Sequence, residues 1–451
     1  MKGIDFASLD SLRGAKIGIF GLGVSGRSAF KLAQVLGCEI CVVNQSKEHL
    51  EGNHTFYEQS DAGASNALAE CDLILLSPGI PRDHQVLLQA NQEGTPIWNE
   101  IELSFRLLSR AFTSTKWLAI TGTNGKTTTV TMVAQMLESD GRPYFVGGNI
   151  GTPLSDLAVK FVEGRFSDES FPKTIILELS SFQLESLDQF RPHACAILNI
   201  SPSHGERYQK IRYYAQAKAN IVNRLGAGDL FLSLENDTWT EKVVKKGAWF
   251  WERIDPDSLH FDDLLISQFK PFGHHNLVNL AFATRLAQAA AVEATAIQNV
   301  IDSFEGVHHR LEKIFESESS LILNDSKSTN WASTLMAIKS VRSDEKWSTK
   351  KITLVVGGKC RGENDLPDTD TIDRLKHYKI ELILFGEFAQ KFNEPMTELF
   401  TDLSVAEDFD LILESWDGKG VLLFSPAFPS FDSFKSYSER GDRFKNLVNA
   451  R

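Results

Sequence analysis

Short apolar runs alternate with helix-like segments along almost the whole chain, and this alternation restricts the possible folds more than any other feature. Lys16–Phe20 predicts a strand, and residues 25–36 carry apolar side chains at helical spacing. Residues 40–43 and 73–76 predict the next two strands. A strand–helix–strand series of this kind folds as a parallel sheet covered by helices. The first hundred residues therefore predict a doubly wound α/β domain.

Two further series of the same kind follow. The second opens with a strand predicted at residues 116–120, and the third begins near residue 311. A chain of 451 residues is long enough for about three domains that each bury a core. We therefore expect three doubly wound, Rossmann-like α/β domains in series, at residues 1–110, 111–310 and 311–451.

The composition excludes several classes of protein. Hydrophobic residues make up 42% and charged residues 24%, which is ordinary for a globular chain. The net charge of −12, without any run of lysine or arginine, argues against a nucleic-acid partner and against an anionic membrane. Five cysteines do not form a disulfide framework, and no stretch of 18 apolar residues occurs. We expect a cytoplasmic monomer that does not insert into a membrane.

The first predicted strand leads into a glycine-rich loop at residues 21–26, GLGVSG, which opens the first helix. This G-x-G-x-x-G spacing lets a helix N-terminus approach a phosphate or pyrophosphate. A nicotinamide dinucleotide site also needs an acidic residue after the second strand, and this chain has Asn44-Gln45-Ser46 there. The loop therefore predicts a phosphate-bearing ligand, and a purely structural turn remains an alternative.

A second glycine-rich loop follows the strand at 116–120 and precedes a helix with the apolar face Val130, Val133, Met136 and Leu137. Backbone amides in such a loop surround phosphates, a lysine adds positive charge, and the next threonine can ligate Mg²⁺. It is not a standard P-loop, because Ile120 rather than glycine lies five residues before Gly125. The pattern predicts an ATP site in the central domain, formed by Gly122, Thr123, Asn124, Gly125, Lys126, Thr127 and Thr128.

Several colinear motifs give the chain a family resemblance. They are TGTNGKTTT at 121–129, GGNIG at 147–151, LELSSFQLE at 177–185, GHHNLVN at 273–279, NDSKSTN at 324–330 and SPAFPSFDSFKSYSERGDRF at 425–444. In this order and over this length, the chain resembles the Mur ligase family of peptidoglycan synthesis. The last two motifs are most similar to the family member that adds D-glutamate.

The resemblance implies an enzyme that phosphorylates a substrate carboxylate with ATP and then joins an incoming amine to it. It also implies two Mg²⁺ ions and a carbamate on Lys218, which turns a cation into an anion that can hold metal. The metal ligands implied are Thr127, Glu178, His204 and Lys218, and the catalytic residues are Lys126, Glu178, His204, Lys218 and Lys327. The residues implied to complete the ATP site are Asn276, Asn279, Arg310 and Asp325.

The substrates implied by the resemblance are UDP-N-acetylmuramoyl-L-alanine and D-glutamate. Contacts to the UDP-substrate are implied for Gly23, Val24, Ser25, Asn44, Ser77, Pro78, Gly79, Asn149, Ser180 and Gln183. Contacts to the amino acid are implied for His309, Lys327, Thr329, Ser430, Phe431 and Tyr437. The pyrophosphate of the UDP-substrate would lie on the loop at residues 21–26, which explains a dinucleotide-like loop without the acidic residue.

Three alternatives remain open. The first is the same chemistry with another acceptor, such as L-glutamate, and the loop at 425–437 would decide it because the resemblance puts this loop around the amino acid. The second is a catalytically silent protein that binds UDP-sugars or nucleotides. The third is a nicotinamide oxidoreductase, against which the absence of an acidic residue at Asn44 argues.

Overall fold

The structure is a computed structural model that describes residues 4–205, 207–360, 362 and 365–450. Within these residues, the strands form three separate sheets of five, six and six strands. Each sheet begins at one of the three strand–helix series predicted from the sequence.

The first sheet is wholly parallel, with the strand order β3-β2-β1-β4-β5. Its strands are β1 (Lys16–Phe20), β2 (Glu39–Asn44), β3 (Thr55–Glu58), β4 (Leu73–Leu76) and β5 (Ile97–Trp98). The accompanying helices are α1 (Leu9–Leu12), α2 (Val24–Val35), α3 (Ala64–Ala69), α4 (Leu88–Glu93) and α5 (Glu100–Ala111). The strand order reverses beside β1, so the glycine loop at residues 21–26 lies where doubly wound sheets bind ligands.

The second sheet is also wholly parallel, with the order β11-β10-β9-β6-β8-β7. Its strands are β6 (Lys116–Thr121), β7 (Tyr144–Gly148), β8 (Thr174–Glu178), β9 (Ala194–Ile197), β10 (Leu230–Leu234) and β11 (Phe250–Ile254). The helices that follow are α6 (Lys126–Ser139), α7 (Leu154–Val162), α8 (Ser181–Leu184), α9 (Ile211–Ala219), α10 (Thr238–Val243), α11 (His274–Ala289) and α12 (Ala294–Ser303). Because β6 lies between β8 and β9, the segments after these three strands meet at one edge.

The third sheet has the order β12-β13-β17-β14-β15-β16. Its strands are β12 (Glu312–Glu316), β13 (Ser320–Asn324), β14 (Ile352–Gly357), β15 (Ile380–Phe385), β16 (Leu403–Val405) and β17 (Gly420–Ala427). The helices are α13 (Trp331–Arg342), α14 (Thr369–His377), α15 (Gly386–Leu399) and α16 (Tyr437–Asn449). The edge strand β12 runs antiparallel to β13, and the other pairs are parallel.

The chain separates into two compact units. One comprises Met1–Leu265 with Val278–Ile301, and the other Ile266–Leu277 with Asp302–Arg451. The first unit contains the first two sheets and the second unit contains the third. The predicted domain boundaries near 110 and 311 remain predictions, since this division groups the first two series together.

The strands predicted from apolar runs are all present, whereas several edge strands were not predicted. The antiparallel β12 has the sequence EKIFE, and most of its side chains are exposed or half-buried. Strand β5 has only two residues. The apolar pattern of β12 is weak because this edge strand buries little surface, whereas both residues of β5 are buried and the strand is too short to show a pattern. In the described part of the chain, no helix has both the length and the apolar character to cross a membrane.

Candidate active site

The first glycine loop is held together by its own glycines and by two polar side chains that the sequence predicted to be in this site. A side chain on Gly26 would overlap the carbonyl oxygen of Gly21, so the helix can approach the strand only with glycine here. The Ser77 hydroxyl donates to the Gly21 carbonyl at 2.8 Å, and Asn44 Oδ1 accepts from the Leu22 amide at 3.2 Å. Asn44 therefore supports the loop in the position where a dinucleotide site needs a carboxylate.

The remaining residues predicted to contact the UDP-substrate on this sheet lie beside that loop. Gly23 is the N-cap of α2, and Val24, the first residue of the helix, is 75% exposed. Ser25 follows in the first turn of the helix. Pro78 and Gly79 follow Ser77 directly after β4. The exposed N-terminus of α2 is suited to an anionic group.

The second loop joins β6 to α6 and has the conformation that its glycines allow. Gly125 is the N-cap of α6 in the left-handed region, with φ of 85°, and a side chain there would overlap Asn279 Oδ1. Asn279, one of the predicted ATP residues, is thus packed against the loop. Lys126 Nζ donates to the carbonyl oxygens of Gly122 and Thr123 at 2.8 and 3.0 Å. The predicted residues of the loop therefore pack together with Asn279.

The segment after β9, which was not among the predicted site residues, fixes this loop. Asn199 Oδ1 accepts from the Asn124 amide at 2.9 Å, and Asn199 Nδ2 donates to the Asn124 carbonyl at 3.1 Å. The Thr123 amide donates to the Asn199 carbonyl, and the Thr123 hydroxyl donates to the Ser201 carbonyl at 3.2 Å. A polar residue just beyond a buried strand, five residues before His204, is the signal that could have identified Asn199.

Glu178 is the buried carboxylate at the end of the neighbouring strand β8, and it is only 2% exposed. The Thr127 hydroxyl donates to its Oε2 at 2.9 Å, and Asn149 Nδ2 donates to its Oε1 at 2.9 Å. Three residues from three separate motifs, Thr127, Asn149 and Glu178, therefore meet here, and the role of Thr127 and Glu178 as metal ligands remains a prediction. Asn149 was assigned to the UDP-substrate, and its bond to Glu178 connects that predicted set to the ATP loop.

Ser180 and Gln183, also predicted to contact the UDP-substrate, begin the short helix α8. The Ser180 hydroxyl accepts from the Gln183 amide at 3.2 Å, and Gln183 Oε1 accepts from the Ser180 amide at 3.0 Å. This reciprocal pair is a capping box. The two side chains thus have a structural role in the turn that follows Glu178, and their contact to a substrate remains a prediction.

Lys218 is a buried lysine on α9, with 1% of its surface exposed. Its Nζ donates to the Gly122 carbonyl at 2.8 Å and to the Thr121 hydroxyl at 3.3 Å, and it lies 4.5 Å from the centre of the Tyr214 ring. Burial lowers the pKa of Lys218 well below its ordinary value, the nearby Lys126 lowers it further, and Glu178 opposes both. The site therefore favours the uncharged amine.

His204 lies in the loop between β9 and α9 in a left-handed backbone conformation, with φ of 55°. Its ring centre is 4.9 Å from that of Phe182 and 6.0 Å from that of Tyr214. Tyr214 is the residue over which the Lys218 amine lies. His204 and Lys218 therefore both pack against one tyrosine, which the sequence analysis assigned no role.

In the second unit, the loop after β13 brings together Asp325 and Lys327, two of the predicted residues. Asp325 is buried and accepts from the hydroxyls of Ser328 and Ser425 at 2.5 and 2.8 Å, and burial raises its pKa to about 6. The Lys327 amide donates to the His309 carbonyl at 3.1 Å. These contacts attach the segment around His309 to the loop of Lys327.

The Lys327 side chain points to another predicted residue. Its Nζ lies 3.9 Å from the centre of the Tyr437 ring, a cation–π contact. Ser430 is 1% exposed, and its hydroxyl has no hydrogen-bond partner among the described residues, whereas Phe431 is 70% exposed. A buried hydroxyl without a partner next to an exposed aromatic ring is suited to receive a polar ligand.

The other residues assigned to these sites have simpler surroundings. Asn276 Nδ2 donates to the Phe272 carbonyl at 2.7 Å within the second unit. Arg310 lies close enough to Asp325 to lower the pKa of that carboxyl, against the effect of burial. Thr329 precedes Asn330, whose side chain caps α13 by accepting from the Ser333 amide at 2.8 Å. Roles of Asn276, Arg310 and Thr329 at a nucleotide or amino acid remain predictions.

The side chains around Glu178 fit one divalent cation directly. A threonine hydroxyl and a carboxylate are hard oxygen ligands of the kind that Mg²⁺ prefers, and Thr127 and Glu178 are already in contact. In the part of the chain that the structure describes, no group of three His, Cys, Asp or Glu side chains forms a metal site. The second cation and the carbamate on Lys218 that the resemblance implies remain predictions.

Comparison with known proteins establishes the family. Residues 120–252 match the Mur ligase middle domain. The chain is 31% identical to the UDP-N-acetylmuramoylalanine--D-glutamate ligase of Koribacter versatilis, over 97% of this chain and 98% of that one. It is 32% identical to the protein of the same name from Geotalea daltonii, with the same coverage of both chains. The chain therefore belongs to the Mur ligase family, and the predicted family is confirmed.

Solved structures confirm the predicted fold class. The MurF ligase of Thermotoga maritima in complex with ADP superposes with a TM-score of 0.55 at 15% identity, over 100% of both chains. The UDP-N-acetylmuramate-alanine ligase MurC of Thermotoga maritima gives a TM-score of 0.53 at 18% identity, over 96% of this chain and 99% of that one. At these identities the likeness concerns the fold alone.

Residues 4–92 also match the NAD binding domain of D-isomer specific 2-hydroxyacid dehydrogenases. This stretch contains strands β1 to β4 of the first sheet and its glycine loop, which are the features that such domains share. Asn44, bonded to the loop, takes the place of the acidic residue that would hold the ribose of NAD. The match is therefore explained by the fold of the first sheet.

Proposed function

We propose that this chain is the ATP-dependent ligase that adds D-glutamate to UDP-N-acetylmuramoyl-L-alanine, through an acyl-phosphate intermediate, in peptidoglycan precursor synthesis. The observation that carries the proposal is the meeting of Thr127, Glu178 and Asn149 beside a glycine loop with Lys126. This group joins the predicted phosphate loop to a buried carboxylate and to a residue of the predicted UDP-substrate set. The two relatives described above are named as D-glutamate ligases, and each matches this chain over nearly its whole length.

The loop at residues 122–128 binds the phosphates of ATP in this proposal. Its backbone amides and the N-terminus of α6 supply positive partial charges, and Lys126 exchanges its bonds to the Gly122 and Thr123 carbonyls for phosphate oxygens. Asn199 holds Asn124 on both sides of its backbone, so the loop is preorganised. Phosphoryl transfer needs positioning and charge stabilisation of this kind.

The residues fit Mg²⁺ as described above, with Thr127, Glu178, His204 and a carbamylated Lys218 as the residues that would hold two ions. When bound, these ions neutralise the charge of the phosphoryl group in transfer. The uncharged state favoured for Lys218 supports carbamylation, because only an amine with a free electron pair reacts with carbon dioxide. Asn149 and Thr127 orient the Glu178 carboxylate from two sides.

The UDP-substrate binds the first sheet in this proposal. The exposed N-terminus of α2 around Gly23, Val24 and Ser25 receives its pyrophosphate, and Asn44 and Ser77 keep the loop in shape. A neutral asparagine suits a ligand whose charge lies on its phosphates, since it repels no anion. Ser180 and Gln183 fix the turn after Glu178.

The amino acid binds the second unit in this proposal. Lys327 provides a cation for one of its carboxylates, and the Ser430 hydroxyl provides a donor that has no other partner among the described residues. The amine of D-glutamate then attacks the acyl phosphate, the new C–N bond forms, and phosphate leaves. His309 supports the loop of Lys327 through its carbonyl. We further expect the enzyme to work in the cytoplasm as a monomer.

The deciding experiment measures phosphate release by the purified protein with Mg-ATP and UDP-N-acetylmuramoyl-L-alanine, with D-glutamate, L-glutamate or D-glutamine added in parallel. We expect release that depends on both the UDP-substrate and D-glutamate. A Glu178→Gln variant serves as the matched control for contaminating ATPases, because it keeps the shape of the side chain and removes its charge.

Each other outcome has a separate meaning. Release that follows L-glutamate instead would retain the ligase chemistry and overturn the proposed acceptor. Absence of release with every acceptor, together with tight binding of the UDP-substrate, would favour the catalytically silent binding protein. Tight binding of NADH without ATP hydrolysis would favour the oxidoreductase.

A further inference from the structure

Arg440 is a fully buried arginine in the second unit, and neither the predicted site nor the proposed mechanism uses it. It lies in the first turns of α16 with 0% of its surface exposed. Burial lowers its pKa to about 10, with nearby Asp432 acting in the opposite direction, so it remains a cation at neutral pH. A buried cation near the positive end of a helix is unfavourable on both counts. A side chain kept in such a place needs a compensating role.

The contacts of Arg440 define this role. Its Nε donates to the Ser326 hydroxyl at 3.0 Å, and its Nη2 donates to the Ser326 carbonyl at 2.8 Å. Its Nη1 donates to the Phe428 carbonyl at 2.9 Å and, more weakly, to the Gly357 carbonyl at 3.5 Å. The planar guanidinium thus bonds to three segments that are far apart in the sequence.

These three segments are the ones that leave β13, β17 and β14, which are neighbours in the third sheet. Ser326 directly precedes Lys327, and Phe428 lies two residues before Ser430. Lys327 and Ser430 belong to the predicted amino-acid site. Because the guanidinium is rigid, it fixes the spacing between the loop that carries the cation and the loop that carries the hydroxyl.

We propose that Arg440 is the positioning residue of the amino-acid site, which it assembles by bonding the loops of Lys327 and Ser430 to the end of β14. This inference rests on the proposed function, since it assigns a role toward the amino acid that is joined. It concerns a residue of the SERGDRF segment that the family resemblance covered without assigning it a role.

The experiment compares Arg440→Lys and Arg440→Met with the matched control Arg443→Lys. Arg443 lies on the same helix, is exposed and pairs with Asp410. Steady-state kinetics are measured with each of the three substrates varied in turn. In both Arg440 variants we expect the KM for D-glutamate to rise roughly 10- to 100-fold, because loop positions shift, while the KM values for ATP and the UDP-substrate stay within about threefold. Arg443→Lys should match the wild type.

Ser326→Ala keeps the experiment decisive if the Arg440 variants do not fold. It removes the hydroxyl that accepts from Nε and leaves the other bonds, so the KM for D-glutamate should rise less, by roughly three- to tenfold. Full activity in Arg440→Lys would overturn the positioning role, because a lysine keeps the positive charge but cannot donate hydrogen bonds to all three segments in the geometry of the planar guanidinium. An equal rise of all three KM values would also overturn it. Inactive wild-type protein would instead count against the proposed function.

Discussion

Lys218 in the first unit and Arg440 in the second are both fully buried basic residues. Their hydrogen-bond partners are similar, but burial affects their charge differently. Each donates to backbone carbonyls and a hydroxyl, and neither forms an ion pair with a described carboxylate. Burial lowers the pKa of both side chains. The pKa of Lys218 falls well below its ordinary value, whereas that of Arg440 falls only to about 10.

The difference shows how burial selects between two uses of a basic residue. A lysine amine can lose its proton when it is desolvated, and it then becomes a nucleophile that can accept a new group. An arginine keeps its charge and its rigid fork of donors, so it acts as a permanent crosslink. The first unit therefore holds a residue suited to chemical change, and the second unit holds one suited to geometry.

Replacing Lys218 with arginine tests this difference most directly, because it puts the permanently charged side chain in the place of the amine. The Lys218→Arg variant carries a permanent cation and cannot form the carbamate, so we expect ligase turnover to fall roughly 1,000-fold or more. The binding of the UDP-substrate, measured by calorimetry, should change little, because that site is assigned to the first sheet. A carbamate signal should be present in wild-type protein supplied with ¹³C-labelled bicarbonate and absent from the variant.

The matched control is Lys210→Arg, an exchange of the same kind at the residue that precedes α9. Lys210 is exposed, and we expect its exchange to leave turnover unchanged. Turnover in Lys218→Arg above about a tenth of the wild-type rate would show that neither the uncharged amine nor its carbamate is needed.

Lys126 provides a second lysine to compare with Lys218. It donates to the same Gly122 carbonyl as Lys218 but is only half-buried. A partly exposed lysine keeps a charge that can follow phosphate oxygens. We expect Lys126→Met to lower turnover roughly 100- to 1,000-fold at saturating ATP. Lys126→Arg is the control that retains charge, and it should recover part of the rate. Equal losses in both variants would contradict a role based on charge.

The sequence predicted the parts of this site that lie within contiguous motifs. The strand at Lys116–Thr121 and the loop with Lys126 were predicted because an apolar run, glycines and an apolar helix face follow one another. Glu178 and Lys218 were assigned only through the family resemblance. Their patterns alone indicate a strand end and a solvated helix, and the burial of Lys218 depends on packing between α9 and the loop at 121–122.

Other residues of the sites could not be predicted from the sequence. Arg440 lies among polar and charged residues in an amphipathic pattern, which normally indicates exposure to solvent. Its burial arises from three loops that come together only in the folded sheet. Asn199 was predictable in principle, as a polar residue at the end of a buried strand, but its partner Asn124 is 75 residues away in the sequence.

Glu100 extends the comparison to a buried acid. Its Oε2 accepts from the Ser155 amide at 2.8 Å, and its Oε1 is buried without a partner among the described residues. Burial, together with the nearby Asp156, raises the pKa of Glu100 to about 7. The folded state therefore holds this proton more tightly than the unfolded state. Its stability falls as the pH rises from the ordinary pKa of the carboxyl through about 7.

We expect Glu100→Gln to raise the free energy of unfolding at pH 8 by roughly 3 kcal/mol, since the variant avoids a buried charge, and to change it little at pH 5. Denaturant unfolding at both pH values measures this. Glu102→Gln is the matched control, for which we expect the free energy of unfolding at pH 8 to change in the opposite direction. The Glu102 carboxylate accepts from the amides of Asp188, Gln189 and Phe190 and from Arg106, so its neutralisation should destabilise the protein at pH 8. A Glu100→Gln variant that is no more stable at pH 8 than at pH 5, relative to wild type, would contradict the expected titration.

Substitutions of Tyr437 have the smallest expected effect. They distinguish the contribution of the Tyr437 ring from that of its hydroxyl, near the loops that Arg440 joins. The Lys327 amine lies over the face of the Tyr437 ring, a contact that a phenylalanine ring also offers. Tyr437→Phe should therefore change kcat/KM for D-glutamate by less than about threefold, whereas Tyr437→Leu removes the contact and should cost about 1 kcal/mol, or roughly fivefold. Steady-state assays with D-glutamate varied provide the measurement, and the KM for ATP serves as the internal control. If Tyr437→Phe loses as much as Tyr437→Leu, the hydroxyl rather than the ring face holds Lys327, and the orientation of this lysine depends on a hydrogen bond instead of a cation–π contact.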